Sequence, residues 1–139
     1  MRALRLLRPI IVLVALAGGL SHAVAQDRLP AKMAGTWNGT TPGKGTPFGG
    51  DWSVVVEKQE GGAVEGKATW VGRFCGMENE PFTGKFDGTT FTLAVEFRDR
   101  TPNAGCGKAT LELKKGSGSE FEGTIPGSRF NYRLTLKPS

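Results

Sequence analysis

The chain has 139 residues with 18 lysines and arginines against 13 aspartates and glutamates, for a formal net charge of +5, and its length fits one domain. Hydrophobic residues make up 38% and charged residues 22%, a balance that excludes a disordered or collagen-like chain. The 21 glycines follow no triplet period. They indicate many turns between short strands and exclude an all-helical bundle.

Residues 1–25 have the features of a signal peptide. Three arginines precede the apolar run 10–17, and Ala23-Val24-Ala25 supplies the small side chains that a signal peptidase accepts. The run is shorter than the ~20 residues that span a bilayer. We therefore expect cleavage before Gln26 and export to the periplasm or outside the cell with no membrane association afterwards; an uncleaved anchor is the alternative. Residues 26–33 would then be an N-terminal extension and residues 34–139 a β-barrel domain.

Loss of this segment excludes several chemistries. The net charge falls from +5 to about +2 because Arg2, Arg5 and Arg8 leave with it, and so does His22, the one histidine. A chain without imidazole lacks the usual general base, nucleophile partner and zinc ligand. We predict no catalysis, no metal and no cofactor, and the weak charge of an exported protein also argues against nucleic acid. The alternative, a glycosidase, would have to use Glu78, Glu80 and Asp99, which we expect to face solvent.

Two cysteines, Cys75 and Cys106, are the only ones in the chain. Because export places them in an oxidising compartment, we predict one disulfide between them, with a free or intermolecular thiol as the alternative. The bridge would close a loop of 30 intervening residues. Such a loop contributes on the order of 3–4 kcal/mol.

From Ala34 onward, apolar and polar residues alternate with a period of two between regularly spaced turn signals. The pattern predicts an all-β fold of eight antiparallel strands. An up-and-down barrel is favoured because closure removes exposed edges, and a β-sandwich is the alternative. The predicted strands cover residues 34–39, 51–58, 63–74, 80–86, 89–99, 108–114, 120–126 and 128–137.

Turn chemistry predicts three hairpin registers. A two-residue turn at Asp87-Gly88 pairs Phe86 with Thr89, and a three-residue turn at 60–62, with Gly62 left-handed, pairs Trp52 with Trp70. A five-residue loop at 115–119 pairs Leu113 with Phe121. These registers leave four inward glycines that either make room for aromatic neighbours or leave a cavity: Gly66, Gly72, Gly84 and Gly123.

The two ends of the predicted barrel differ in their loops. Connections 59–62, 87–88 and 115–119 are short and share one end, whereas residues 40–50, 75–79, 100–107 and 126–127 meet at the other. Long loops on rigid strands are where binding residues usually lie. Positive charges outnumber negative ones there by six to three, which favours an anionic or polar ligand. The alternative is a set of solvated charges, with Arg73 paired locally to Glu78 or Glu80. The charged residues of this end are Lys44, Arg73, Glu78, Glu80, Arg98, Asp99, Arg100, Lys108 and Arg129.

Gly35-Thr36-Trp37 at the start of the first strand resembles the Gly-x-Trp opening of the calycins, the group of lipocalins and avidins. The likeness covers about residues 34–72. It implies an eight-stranded barrel that carries a small ligand, with Trp37 packed at the closed end under Arg133, although strand alternation turns Arg133 outward. No tryptophan follows Trp70, and the avidin Asn-x-Leu-x-Ser spacing and the lipocalin Thr-Asp-Tyr motif are missing, so biotin binding is not predicted.

We predict an exported, non-catalytic protein that binds a small anionic or amphipathic ligand at the loop-bearing end. The alternative is an inhibitor or recognition protein that contacts another protein through loop 40–50. Pro42 and Pro47 would limit the entropy of that loop and Phe48 would be its apolar anchor. The candidate ligand-binding residues are Lys44, Phe48, Trp52, Trp70, Arg73, Arg98 and Arg100.

Overall fold

The computed structural model describes residues 28–45 and 47–139, so the predicted signal peptide lies outside the described residues. In these two ranges no helix has the length and hydropathy of a membrane span. The chain forms nine strands, β1 Lys32–Thr40, β2 Pro47–Glu60, β3 Ala63–Trp70, β4 Cys75–Phe86, β5 Thr90–Glu96, β6 Arg98–Asp99, β7 Lys108–Lys115, β8 Phe121–Thr124 and β9 Asn131–Pro138.

Eight of these strands close into an antiparallel barrel. Each pairs with its neighbour in chain order, β5 with β7 included, and the pairing of β1 with β9 closes the ring. The two-residue β6 stands apart from the ring and pairs with the first residues of β4. The predicted up-and-down barrel is confirmed, and the sandwich alternative is wrong.

Inward side chains fill the half of the barrel that carries the short connections. Aliphatic residues form its centre, and Phe86, Phe91 and Phe121 pack edge to face near the tight turns. Leu29, which precedes β1, is buried in the same cluster. This half is therefore solid core, and its central aliphatic residues are Val54, Val64, Leu93, Leu111, Leu113, Leu134 and Leu136.

The β2–β3 hairpin has the predicted register but reaches it differently. Trp52 pairs with Trp70 as expected, yet Glu60 pairs directly with Ala63, so the turn is only Gly61-Gly62, with Gly61 left-handed. The extra residue is accommodated within β2, where the register shifts between Val56 and Lys58. A β-bulge in a long strand has the same effect on facing as an added turn residue.

The other two hairpin registers are wrong by two residues. Phe86 pairs with Phe91 instead of Thr89, and Leu113 pairs with Gly123 instead of Phe121. In the first hairpin, the Asp87 carboxylate accepts the backbone N–H groups of Thr89 and Thr90 at 2.8 and 2.7 Å, which stabilises a longer turn than the predicted one. Because side chains alternate with a period of two, both shifts leave the predicted faces unchanged.

Of two predicted loops at the open end, one is partly strand and the other is entirely strand. Pro47 to Gly50 continue β2 along β1, so the predicted loop 40–50 shrinks to residues 41–46. A side chain at Gly49 would meet the backbone oxygen of Trp37, so glycine here permits close strand pairing. The predicted connection 75–79 belongs to β4, which bends at the left-handed Asn79, and the true connection is 71–74.

The inward glycines serve a third purpose beyond the two predicted ones. A side chain at Gly66, Gly84 or Gly123 would collide with the backbone oxygen of the neighbouring strand, at Val55, Thr92 and Glu112 in that order. A Cβ at Gly72 would likewise meet the Cys75 backbone oxygen. These glycines permit close backbone approach, and Gly66 also makes room for an aromatic neighbour as predicted, since a side chain there would meet the Phe82 ring at 2.9 Å.

The predicted disulfide between Cys75 and Cys106 is confirmed, with a Cα–Cα distance of 5.8 Å. It joins the start of β4 to the loop that precedes β7. Two hydrogen bonds hold the same region: the Arg100 N–H donates to the Phe74 oxygen and the Cys106 N–H to the Asp99 carboxylate.

Candidate ligand-binding cavity

The loop-bearing end of the barrel encloses a cavity of about 590 Å³. It lies above the aliphatic core, between connections 41–46, 71–74, 97–107 and 125–130. Its walls contain seven aromatic side chains, two arginines and the disulfide. The aromatic residues are Trp37, Phe48, Trp70, Phe74, Phe97, Phe130 and Tyr132.

Two stacked indoles form the buried side of the cavity. The rings of Trp37 and Trp70 lie 4.6 Å apart at an interplanar angle of 20°. The Trp37 indole N–H donates to the Val71 backbone oxygen at 2.9 Å, which fixes its plane and satisfies its polar atom. Phe97 meets the Trp70 ring edge-on at 5.1 Å.

The opposite wall is a second aromatic group around Phe48. Its ring packs nearly perpendicular to Phe130 at 5.6 Å and to Tyr132 at 6.0 Å, and edge-on to Trp37 at 5.9 Å. Phe48 is therefore half-buried and committed to the cavity wall. Gly39 lies behind it, and a side chain there would press on the Phe48 ring at 2.7 Å.

The cavity also opens sideways because β8 is short. The last pair between β7 and β8 is Glu112 with Thr124, and the last between β8 and β9 is Gly123 with Leu134. The mouth-side ends of β7 and β9 are thus separated by residues 125–130. A cleft of about 970 Å³ lies here and shares Phe97, Phe130 and Tyr132 with the cavity.

Arg73 and Arg129 carry the positive charge of the cavity wall. Each guanidinium lies over the ring of the next residue, at 5.3 Å from Phe74 and 5.1 Å from Phe130. Within the described residues, neither has a carboxylate within 4.0 Å. The predicted local pairing of Arg73 with Glu78 or Glu80 is wrong, since Glu80 faces Arg98 at 3.8 Å. These two charges are therefore available to a ligand.

Tyr132 places the one phenol of the chain in the same wall. Burial raises its pKa above the ordinary value, and the positive charge of Arg129 partly opposes that rise. The hydroxyl therefore remains a proton donor at neutral pH. Within the described part of the chain, no residue hydrogen-bonds to it.

The structure brings together three of the seven predicted site residues. Phe48, Trp70 and Arg73 line the cavity. The other four do not. Lys44 is exposed in the turn after β1, and Trp52 is 2% exposed in the core, where its indole donates to the Thr135 backbone oxygen.

The remaining two arginines serve structural contacts. Arg98 lies outside the barrel between Glu80 and Glu96, at 3.8 and 3.6 Å. Arg100 donates from Nη1 to the Gly72 oxygen at 2.8 Å and so supports the connection 71–74. Charge counting could not separate these two from Arg73, because the distinction depends on which carboxylates lie alongside each guanidinium.

The predicted site lacks five aromatic residues and one arginine that line the cavity. The sequence places Arg129 only among the charges of the open end. A usable signal was their position: each lies within a few residues of a connection at the open end. The six are Trp37, Phe74, Phe97, Arg129, Phe130 and Tyr132.

The calycin resemblance implied a different place for Trp37. The structure puts it beside the mouth cavity instead of at the closed end, and Arg133 is exposed on the outer face of β9. The outward direction that strand alternation predicts for Arg133 is confirmed, and the packing on Trp37 that the resemblance implied is not found. The physical reason is strand alternation, which turns Arg133 away from the interior shared by Tyr132 and Leu134.

The fold and cavity together define a closed eight-stranded β-barrel with an aromatic pocket at one end. No family model matches the chain, and no curated protein matches it. Among solved structures, a redesigned β-barrel is similar, with 17% sequence identity and a TM-score of 0.49, over 80% of this chain and 91% of that one. The barrel assignment rests on the strand pairing of this chain itself.

The three acidic residues considered for a glycosidase are not among the residues that line the cavity. Glu78 and Asp99 are exposed, Glu80 is partly exposed, and none of the three lines it. Across the described ranges, no group of three or more histidine, cysteine or acidic side chains has an arrangement that could hold a metal ion.

Proposed function

We propose that the protein is an exported, non-catalytic binding protein that holds a small amphipathic or anionic ligand in the cavity at its loop-bearing end. The observation that carries this proposal is the cavity itself, about 590 Å³ above a solid core. Pockets that bury small ligands typically have volumes of roughly 300–1,000 Å³ and largely apolar walls with a few polar groups. The unpaired Arg73 and Arg129 supply those polar groups.

Export is proposed on the predicted signal peptide and is supported by the disulfide, since such bonds persist in oxidising compartments. Kinship with calycins is likewise a proposal. It is supported by Gly35-Thr36-Trp37 at the start of β1 and by the eight-stranded antiparallel ring. A role without catalysis is supported by the chemistry of the walls, because no carboxylate or imidazole is among the described residues that line the cavity.

Recognition of another protein through loop 40–50 is the second candidate, and the placement of Phe48 counts against it. The ring that would anchor a partner is packed on Trp37, Phe130 and Tyr132. The two most exposed large apolar side chains lie instead in connection 71–74, where Val71 is 52% and Phe74 is 56% exposed, and Val55 on β2 is 37% exposed. A protein partner would therefore find its apolar contact at 71–74.

Native mass spectrometry of protein purified from its own source tests the main proposal. We expect a bound compound of small mass on the wild type and on Ala63→Phe, a control on an exposed position at the closed end. Ala104→Phe, which adds a ring where Ala104 lines the cavity, should lose it. Equal retention by both variants would contradict the cavity as the binding site, and repeated absence of any compound from the wild type would contradict a carrier role.

A further inference from the structure

The composition of the cavity wall differs sharply from that of the core below it. Seven aromatic side chains line the cavity, and no leucine, isoleucine, valine or methionine is among the described residues that do so. The core beneath is rich in leucine and valine. A wall made only to bury an alkyl chain would gain as much from aliphatic residues, because burial of apolar area is not directional. Aromatic walls add a directional preference for other π systems.

The aromatic rings that line the cavity pack on one another at different angles. Trp37 and Trp70 are nearly parallel, whereas Phe48 stands at 84° to Phe130 and 88° to Tyr132. Offset stacking and edge-to-face contacts are the favoured arrangements of aromatic pairs. A planar aromatic molecule in this space can stack on one ring while its edges meet the faces of others. A flexible alkyl chain would gain only the free energy of burying its apolar surface.

A polar corner adjoins these rings. Arg129 and Tyr132 both line the cavity, with the Arg129 guanidinium 5.1 Å from the centre of the Phe130 ring and that ring 6.2 Å from the Tyr132 ring. Within the described residues, Arg129 has no carboxylate partner and Tyr132 no hydrogen-bond acceptor. A guanidinium and a phenol O–H are both donors and match the oxygens of a carboxylate.

We propose that the ligand class of this cavity is a planar aromatic carboxylate, with its rings among Trp37, Phe48 and Phe130 and its carboxylate held by Arg129 and Tyr132. This inference rests on the proposed function and narrows it. Tight binding should require both the aromatic ring and the carboxylate, since the ring contacts select a flat π system and the two donors select a negative charge.

Calorimetric titration of the mature protein with three probes tests the proposal. The probes are 2-naphthoate, the uncharged 2-naphthylmethanol, and decanoate, an anion with an alkyl chain. We expect 2-naphthoate to bind about tenfold more tightly than either of the others, because only it makes both kinds of contact. If decanoate binds as tightly or more tightly, the aromatic class is refuted while the proposed carrier function stands.

Variants separate the two donors from general effects on folding. Arg129→Gln and Tyr132→Phe should each weaken 2-naphthoate binding about tenfold and leave 2-naphthylmethanol unchanged. Arg133→Gln is the matched control, because Arg133 lies on β9 beside Tyr132 but is exposed and does not line the cavity. This variant should bind all three probes as the wild type does. Unchanged 2-naphthoate affinity in both test variants would refute the polar corner. Failure of all three probes, together with absence of a co-purified compound, would overturn both this inference and the proposed function.

Discussion

Replacement of both cysteines by alanine should destabilise the barrel by the entropy of an open loop. The disulfide has a sequence separation of 31 residues. The loop-closure relation gives an entropy of about 12 cal/mol/K for that length, or about 3.7 kcal/mol at 25 °C. For a domain of about 110 residues, an unfolding entropy of about 2.1 cal/mol/K per residue converts this loss into a fall in Tm of about 15 °C.

Urea unfolding followed by tryptophan fluorescence measures the effect. Reduced wild type and the Cys75→Ala/Cys106→Ala variant should agree, because both remove the same constraint from the unfolded chain. The dependence of the unfolding free energy on urea should also steepen, since an unconstrained unfolded chain exposes more surface. Both sulfurs border the cavity, so 2-naphthoate affinity should fall in the same samples.

A loss below about 1 kcal/mol would refute this reasoning, given the usual range of 2–4 kcal/mol. It would mean that the unfolded chain already keeps the two segments close without the covalent link.

Three further predictions concern single positions. Gly123→Ala should lower the free energy of unfolding by several kcal/mol, because the added side chain would collide with the Glu112 backbone oxygen. Gly116→Ala is the control and should change stability little, since the nearest atom there is 3.7 Å away. Similar melting temperatures for the two variants would contradict the close backbone approach at Gly123. Backbone hydrogen bonds from Thr90 and Thr89 lower the pKa of Asp87 below 3.8. Its contribution to stability is therefore complete above that pH and lost as the pH falls through the folded value, so Asp87→Asn should remove this part of the acid destabilisation; unchanged acid sensitivity in thermal melts would argue otherwise. Burial should make Tyr132, the one tyrosine, titrate above pH 10, as followed by the NMR shift of its ring carbon. Bound 2-naphthoate should raise this pKa further, because its negative charge disfavours the phenolate. A titration below pH 10 would contradict the burial of Tyr132.

The sequence could predict which side chains point into the barrel, because that direction alternates with every residue along a strand. The registers of Phe86 and Leu113 are each displaced by two residues, yet every inward side chain stays inward. The β2–β3 register was predicted correctly although the turn was not, since the bulge between Val56 and Lys58 restores the alternation. Turn length and bulge position depend on local hydrogen bonds that a hydrophobic pattern does not encode.

The cavity was harder to predict for a different reason. Interior positions could be recognised, but their height along the barrel depends on strand stagger, which the alternation leaves open. Trp52 and Trp70 are paired neighbours and looked equivalent, yet Trp52 lies in the core and Trp70 in the cavity wall. Glycine was also misleading, since Gly49 and Gly50 suggested a loop and instead extend β2.

The brevity of β8 has a mechanical consequence for the barrel. Elsewhere in the ring, neighbouring strands are paired up to the cavity except β4 and β5, whose ladder ends at Thr83 with Ala94. Widening the cavity at the paired strands would break ladder hydrogen bonds. Residues 125–130 carry Arg129 and Phe130 on a turn whose internal backbone bond is Ser128 N–H to the Ile125 oxygen, at 3.3 Å. Among the described pairings, no ladder ties this segment to a neighbouring strand, and it joins the ring through the ends of β8 and β9. We therefore expect the barrel to accommodate a larger ligand more readily on this side than along its paired strands.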